Sequence, residues 1–161
     1  PQDAAYGNHR MRIRIYDTDY NDPSPCGNAS YGEVEDYTLF MGQPGLWVGG
    51  TAGQTQNWNT ASNWHDLAIP TAGTDVLING GLTYYPILTG TGTCHDLEIR
   101  DGATTTVNPG GNLTIIHNLM DGQGAGGTLI VNGGTCQVNG ASLQRTGSGI
   151  QVKNGGTLTQ Y

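Results

Sequence analysis

The feature that most constrains this chain is a near-repeat in its second half. Ile130-Val131-Asn132-Gly133-Gly134-Thr135-Cys136 returns as Val152-Lys153-Asn154-Gly155-Gly156-Thr157-Leu158, a period of about 22 residues. A looser copy, Val107-Asn108-Pro109-Gly110-Gly111-Asn112-Leu113, stands one such period before the middle one. A period near 20 means that each unit is one coil of a stack and cannot bury its apolar face alone. Apolar residues alternate within the units (Leu97, Ile99; Leu113, Ile115; Ile150, Val152), which is strand spacing. Gly-Gly and Asn-Gly pairs separate the runs, where a corner requires positive φ. Together these signals predict an all-β chain with a right-handed parallel β-helix over residues 75–161, about 22 residues per coil. A Gly-rich β-sandwich is the competing architecture.

Composition narrows the function classes. Charged residues make up 12% while Gly fills 27 positions, which is too little charge for a typical disordered segment. The net charge is −7 and the six Lys and Arg form no basic patch, so nucleic acid is a poor partner. No apolar run approaches the roughly 18 residues of a membrane span. Pro1 does not look like a natural start and no signal peptide opens the chain, so we read it as an internal piece of a longer polypeptide. Cys26, Cys94 and Cys136 leave one thiol over in any pairing and have no zinc spacing. Cys136 takes the place of Leu113 and Leu158 in the repeat, which predicts a small inward hydrophobe.

In residues 1–45, His9 to Tyr16 alternates strictly, with Met11, Ile13 and Ile15 on one face and three arginines on the other. That pattern predicts a half-buried antiparallel strand. Tyr31 to Met41 is a second strand, and pairing of the two would set Glu33 and Glu35 across from the arginines. Such pairing explains the acidic run without invoking catalysis. The segments Met11-Arg12-Ile13-Arg14, Pro25-Cys26-Gly27 and Tyr31-Gly32-Glu33-Val34-Glu35-Asp36-Tyr37-Thr38 closely resemble the end of the GEVED domain. That family is a β-sandwich module of secreted and surface bacterial proteins, common in the Bacteroidetes. The resemblance implies the C-terminal strands of such a sandwich and an extracellular multidomain protein. It implies no catalytic residues.

Between the two strands, Asp17, Asp19 and Asp22 crowd one loop. An EF-hand requires Gly at the sixth position and Glu at the twelfth, and Asp22 and Asn28 stand there instead. A calcium site of another kind remains open, against a plain solvated loop. Calcium is the one cofactor these residues suggest.

Residues 46–74 hold all three tryptophans, Trp47, Trp58 and Trp64, just before the first coil strand at Asp75. Interleaved indoles would suit a carbohydrate-stacking platform. The favoured reading is a cap, because the open end of a β-helix exposes its core. Trp47-Val48-Gly49, Asn57 to Trp64, Ile69-Pro70 and Asp75-Val76-Leu77-Ile78 also resemble a segment that opens β-helical regions in Bacteroidetes surface proteins.

Parallel β-helices include polysaccharide lyases and hydrolases. Here Asp96, Glu98 and Arg100 share the outer face of one strand, a faint version of a lyase set. No second carboxylate marks a glycosidase, and His9, His65, His95 and His117 show no triad or metal pattern. We therefore expect a non-catalytic structural or adhesive segment of a large secreted or surface protein, a stalk, filament or adhesin. The alternative is the leading part of a polysaccharide-degrading enzyme whose active coils lie elsewhere. Expected partners are the same polypeptide or further copies through strand edges, with glycans or cell-surface ligands in addition.

The aspartate loop gives the first prediction. A bound calcium ion would raise the melting temperature as free calcium rises, by mass action. An identical melting curve in chelator and in millimolar calcium would remove Asp17, Asp19 and Asp22 from consideration.

Overall fold

The computed structural model describes residues 5–16, 32–121, 125–143 and 149–161, in two separate units, Pro1–Gly42 and Gln43–Tyr161. In the first unit, β1 (Gly7–Tyr16) and β2 (Gly32–Met41) form a two-stranded antiparallel ribbon. Its register differs from expectation by one residue. Glu35 faces Ile13 and Glu33 faces Ile15, so both glutamates lie on the apolar face. The carboxylate opposite an arginine is Asp36, which accepts from Nε and a terminal nitrogen of Arg12 at 2.7 and 2.8 Å. That bidentate bond, followed by the positive charges of Arg12 and Arg10, holds the Asp36 carboxyl below its usual range. Met11, Ile13 and Ile15 are exposed rather than half-buried, because a two-stranded ribbon has no second layer to cover them.

The second unit is a β-solenoid of about three turns. One sheet stacks β3 (Val76–Ile78), β6 (Leu97–Ile99), β9 (Leu119–Asp121) and β12 (Ser142–Leu143). A second stacks β4 (Ile87–Leu88), β7 (Thr104–Val107), β10 (Thr128–Asn132) and β13 (Gly149–Lys153). The third stacks β5 (Thr91–Cys94), β8 (Asn112–Ile115), β11 (Thr135–Val138) and β14 (Thr157–Gln160). All neighbours within these sheets are parallel. Alternation sends every second side chain inward, and like positions stack. Leu113 pairs with Cys136 and Cys136 with Leu158, as the repeat predicts. Leu113 and Cys136 are buried, while Leu158, in the last coil, is partly exposed. Cys94 and Cys136 are free thiols of this core. Burial pushes the Cys136 thiol up to about 12 and raises Cys94 as well, so both stay protonated and inert. Cys26 lies outside the described residues.

Corners absorb the irregularity of the repeat. The interval from Val131 to its partner Val152 is one residue shorter than the interval from Cys136 to its partner Leu158. The extra residue fits because Asn154 turns left-handed, with φ of 54°. The glycines of each pair do different jobs. Gly110, Gly133 and Gly155 have φ of 84°, 74° and 78°, a conformation that penalises any Cβ. Their followers, Gly111, Gly134 and Gly156, lie so close to the coil beneath that a Cβ would sit within 2.6 Å of a backbone oxygen there. Asn108, Asn132 and Asn154 stack outside this corner, each side-chain amide donating to the carbonyl of the previous one.

The tryptophan-rich segment closes the first coil. Leu46 bridges Leu77 of β3 and Asn57 bridges Ile87 of β4, both in parallel sense. The N–H groups of Trp47 and Trp58 donate to the carbonyls of Leu77 and Ile87 at 3.0 and 3.2 Å. Trp47, Trp58 and Trp64 are fully buried and pack edge-to-face, with centroids 5.0 Å apart for Trp47–Trp64 and 4.8 Å for Trp58–Trp64. Gly92 occupies the position below Leu113, and a Cβ there would lie 3.0 Å from Trp58 Nε1. Leu88, whose Cδ2 would lie 2.6 Å from that Cβ, and the Trp58 indole together fill the place of the missing side chain in the inward column. Asn63 ties the loop together, donating to the Gln54 and Asn57 carbonyls and accepting from the Thr51 N–H.

Emptying this position should cost about 3–5 kcal/mol, so Trp58→Ala should lower the denaturation midpoint sharply. Equilibrium unfolding in guanidinium measures it; a loss below about 1 kcal/mol would mean that the cap is not part of the core.

Candidate functional site

A polar pair stands immediately before the first inward residue of three successive coils. Thr74-Asp75 precedes Val76, His95-Asp96 precedes Leu97, and His117-Asn118 precedes Leu119. Because Val76, Leu97 and Leu119 pair in register, these pairs lie one above another at a single corner. The backbone fixes them there, with His95 N–H donating to the Thr74 carbonyl at 2.8 Å and His117 N–H to that of His95 at 2.9 Å. The two imidazoles stack at 5.1 Å with planes 22° apart.

Each histidine reaches back to the carboxylate of the preceding coil. His95 Nδ1 lies 2.8 Å from Asp75 Oδ1, and His117 Nδ1 lies 2.9 Å from Asp96 Oδ1. A carboxylate only accepts, so both imidazoles carry a proton on Nδ1 in these bonds. Asp96 also stands 3.7 Å from His95 Nδ1 through Oδ2, so it is in reach of both rings. Its Oδ1 accepts the Asn118 N–H at 2.7 Å, and Asn118 Oδ1 accepts the Ala141 N–H at 2.9 Å, the same bond one coil further on. The Asp96 side chain is 15% exposed, whereas His95 and His117 are 42% and 54% exposed. Among the described residues, His95, Asp96 and His117 are the one set of three His, Cys, Asp or Glu whose ligating atoms lie within 4.8 Å of one another.

The other expected site residues do not join this corner. Arg100 pairs with Glu98 through one terminal nitrogen at 2.7 Å, and Asp96 turns instead to His117, so the lyase-like trio is split. The tryptophans have no indole face free for a sugar, since all three sit inside the cap. Asp17, Asp19 and Asp22 lie outside the described residues. The expectation that the four histidines form no pattern is corrected for two of them. His95 and His117 are one coil apart, and the solenoid turns that interval into ring contact. The signal was available as Thr-Asp-Val, His-Asp-Leu and His-Asn-Leu at coil spacing.

The family model described as Domain of unknown function (DUF8693) matches residues 46–161, most of the chain. The chain belongs to the DUF8693 family. The DUF8693 segment takes in the tryptophan cap, every solenoid strand and the histidine corner together. The GEVED domain model matches residues 1–40, the part carrying β1 and most of β2. No curated protein and no solved structure matches the chain.

In this DUF8693 chain, Asp96→Ala removes the acceptor of the Asn118 N–H and of His117 together. It should destabilise the solenoid by about 1–3 kcal/mol, measured by denaturant unfolding. Asp96→Asn keeps an acceptor oxygen and should cost less.

Proposed function

We propose that the chain is a non-catalytic structural and adhesive segment of a large secreted or cell-surface bacterial protein of the Bacteroidetes type: a stalk, filament or adhesin. The observation that carries this reading is the build of the solenoid. Three parallel sheets run unbroken through four strands each, with an apolar interior, close-packed glycine corners and an end sealed by tryptophans. Such a rod offers a protease few entry points and extends by adding coils. The GEVED match upstream supports a secreted, multidomain setting. Low charge and the outward threonine and asparagine rows suit contact with glycans or other cell-surface ligands. Among the described residues, strands β12, β13 and β14 each have one neighbour, so the same polypeptide or a further copy can be added there. No helix among the described residues is long and apolar enough to cross a membrane.

A second reading, the leading part of a polysaccharide-degrading enzyme, draws on the outward meeting of acids, histidines and an arginine between residues 95 and 117. Deleting the coding region in its own host separates the two. The adhesive reading expects the protein to be shaved from intact cells by protease and the deletion strain to lose attachment to surfaces. Recovery of the protein only from the cell interior, or unchanged attachment with loss of growth on a polysaccharide, would overturn it.

A further inference from the structure

We propose that the corner formed by His95, Asp96 and His117 binds one divalent transition-metal ion of the zinc, nickel or copper class, with solvent in its remaining position. The donor set is two imidazole nitrogens and carboxylate oxygen, which suits these ions rather than calcium or magnesium, whose sites are built from oxygen. The separations fit. Four tetrahedral ligands at the bond lengths zinc prefers stand roughly 3.3 Å from one another. The Asp96 carboxylate lies 2.9 Å from His117 Nδ1 and 3.7 Å from His95 Nδ1, bracketing that value. Asp75 Oδ1, 2.8 Å from His95 Nδ1, lies outside this set and gives up its bond when the ion takes that nitrogen.

The ion would replace the protons that now bridge these atoms. Each neutral imidazole shifts its proton from Nδ1 to Nε2, and the freed Nδ1 lone pair faces the metal. Little else has to move, because the ligands sit at the starts of adjacent parallel strands held by backbone hydrogen bonds. The Asn118 N–H, 2.7 Å from Asp96 Oδ1, orients the central carboxylate as an outer-shell donor. Partial exposure of both imidazoles leaves the ion a path in from solvent. The protein's net charge of −7 favours cation approach. Bound there, the ion would clasp two adjacent coils together from outside, a role independent of whether the rod is a stalk or part of an enzyme.

The test uses the whole chain, stripped with chelator. Zinc titrated in should raise the melting temperature by roughly 5–10 °C at about 100 times its Kd, while magnesium and calcium give no such rise at the same concentration. Cobalt(II) should give the intense visible absorption of a tetrahedral site with nitrogen ligands. The double variant His95→Asn, His117→Asn should lose both responses, and His9→Asn, His65→Asn should keep them. Should the first variant fail to fold, nitrogen-15 imidazole shifts of the unaltered chain decide: zinc must move the Nδ1 resonances of His95 and His117. No zinc-dependent rise, no shift at those two nitrogens, or cobalt absorption that survives in the His95, His117 variant would each overturn the proposal.

Discussion

Everything in the second unit depends on parallel strands in register. A coil has no hydrogen-bonding partner for its strands except the coils before and after it, so each backbone N–H and C=O fixes the height of its neighbour. In-register stacking then turns a one-dimensional repeat into columns. Inside, the columns are apolar, and Leu113 lies on Cys136. Outside, they become the asparagine ladder at one corner and the aspartate–histidine corner at another. These side-chain ladders are consequences of the backbone pairing, and they reinforce it by satisfying corner N–H groups, such as those of Asn118 and Ala141, that no strand reaches.

Much of this was legible in the sequence, because a repeat with glycine corners fixes register without any knowledge of contacts. Leu113, Cys136 and Leu158 were placed by counting alone, and the tryptophans by the need to cover an open core. What the sequence hid was whatever depended on a partner's parity or on distance multiplied by the coil. Alternation in β1 and β2 shows two faces for each strand but not which face meets which. A shift of one residue therefore exchanged Asp36 for Glu33 and Glu35 as the arginines' partners. His95 and His117 look unrelated in a linear scan for metal spacing, since such scans look for ligands three or four residues apart. Only the length of a coil turns their separation into a contact. The corners at 108–112 and 153–157 each hold one residue more than the corner at 132–135, in a place where no strand pairing registers it.

The two units illustrate different routes to a folded β structure. The solenoid builds its core from its own coils and cap, so the core lies wholly within residues 43–161. The ribbon of β1 and β2 keeps Met11, Ile13, Tyr37 and Leu39 exposed on one face and relies on cross-strand pairs such as Arg12–Asp36 on the other. A solenoid coil and a ribbon strand thus share alternation while differing in what the apolar side meets.

The tryptophan cap also gives the rod a direction. At that end Leu46 and Asn57 bridge the outer edges of β3 and β4, and the Trp58 indole packs over Gly92 of β5. Among the described residues, the edges of β12, β13 and β14 carry no such bridges. The two ends of the solenoid are therefore unlike, one bridged at β3 and β4 by the tryptophan segment and the other presenting bare strand edges among the described residues.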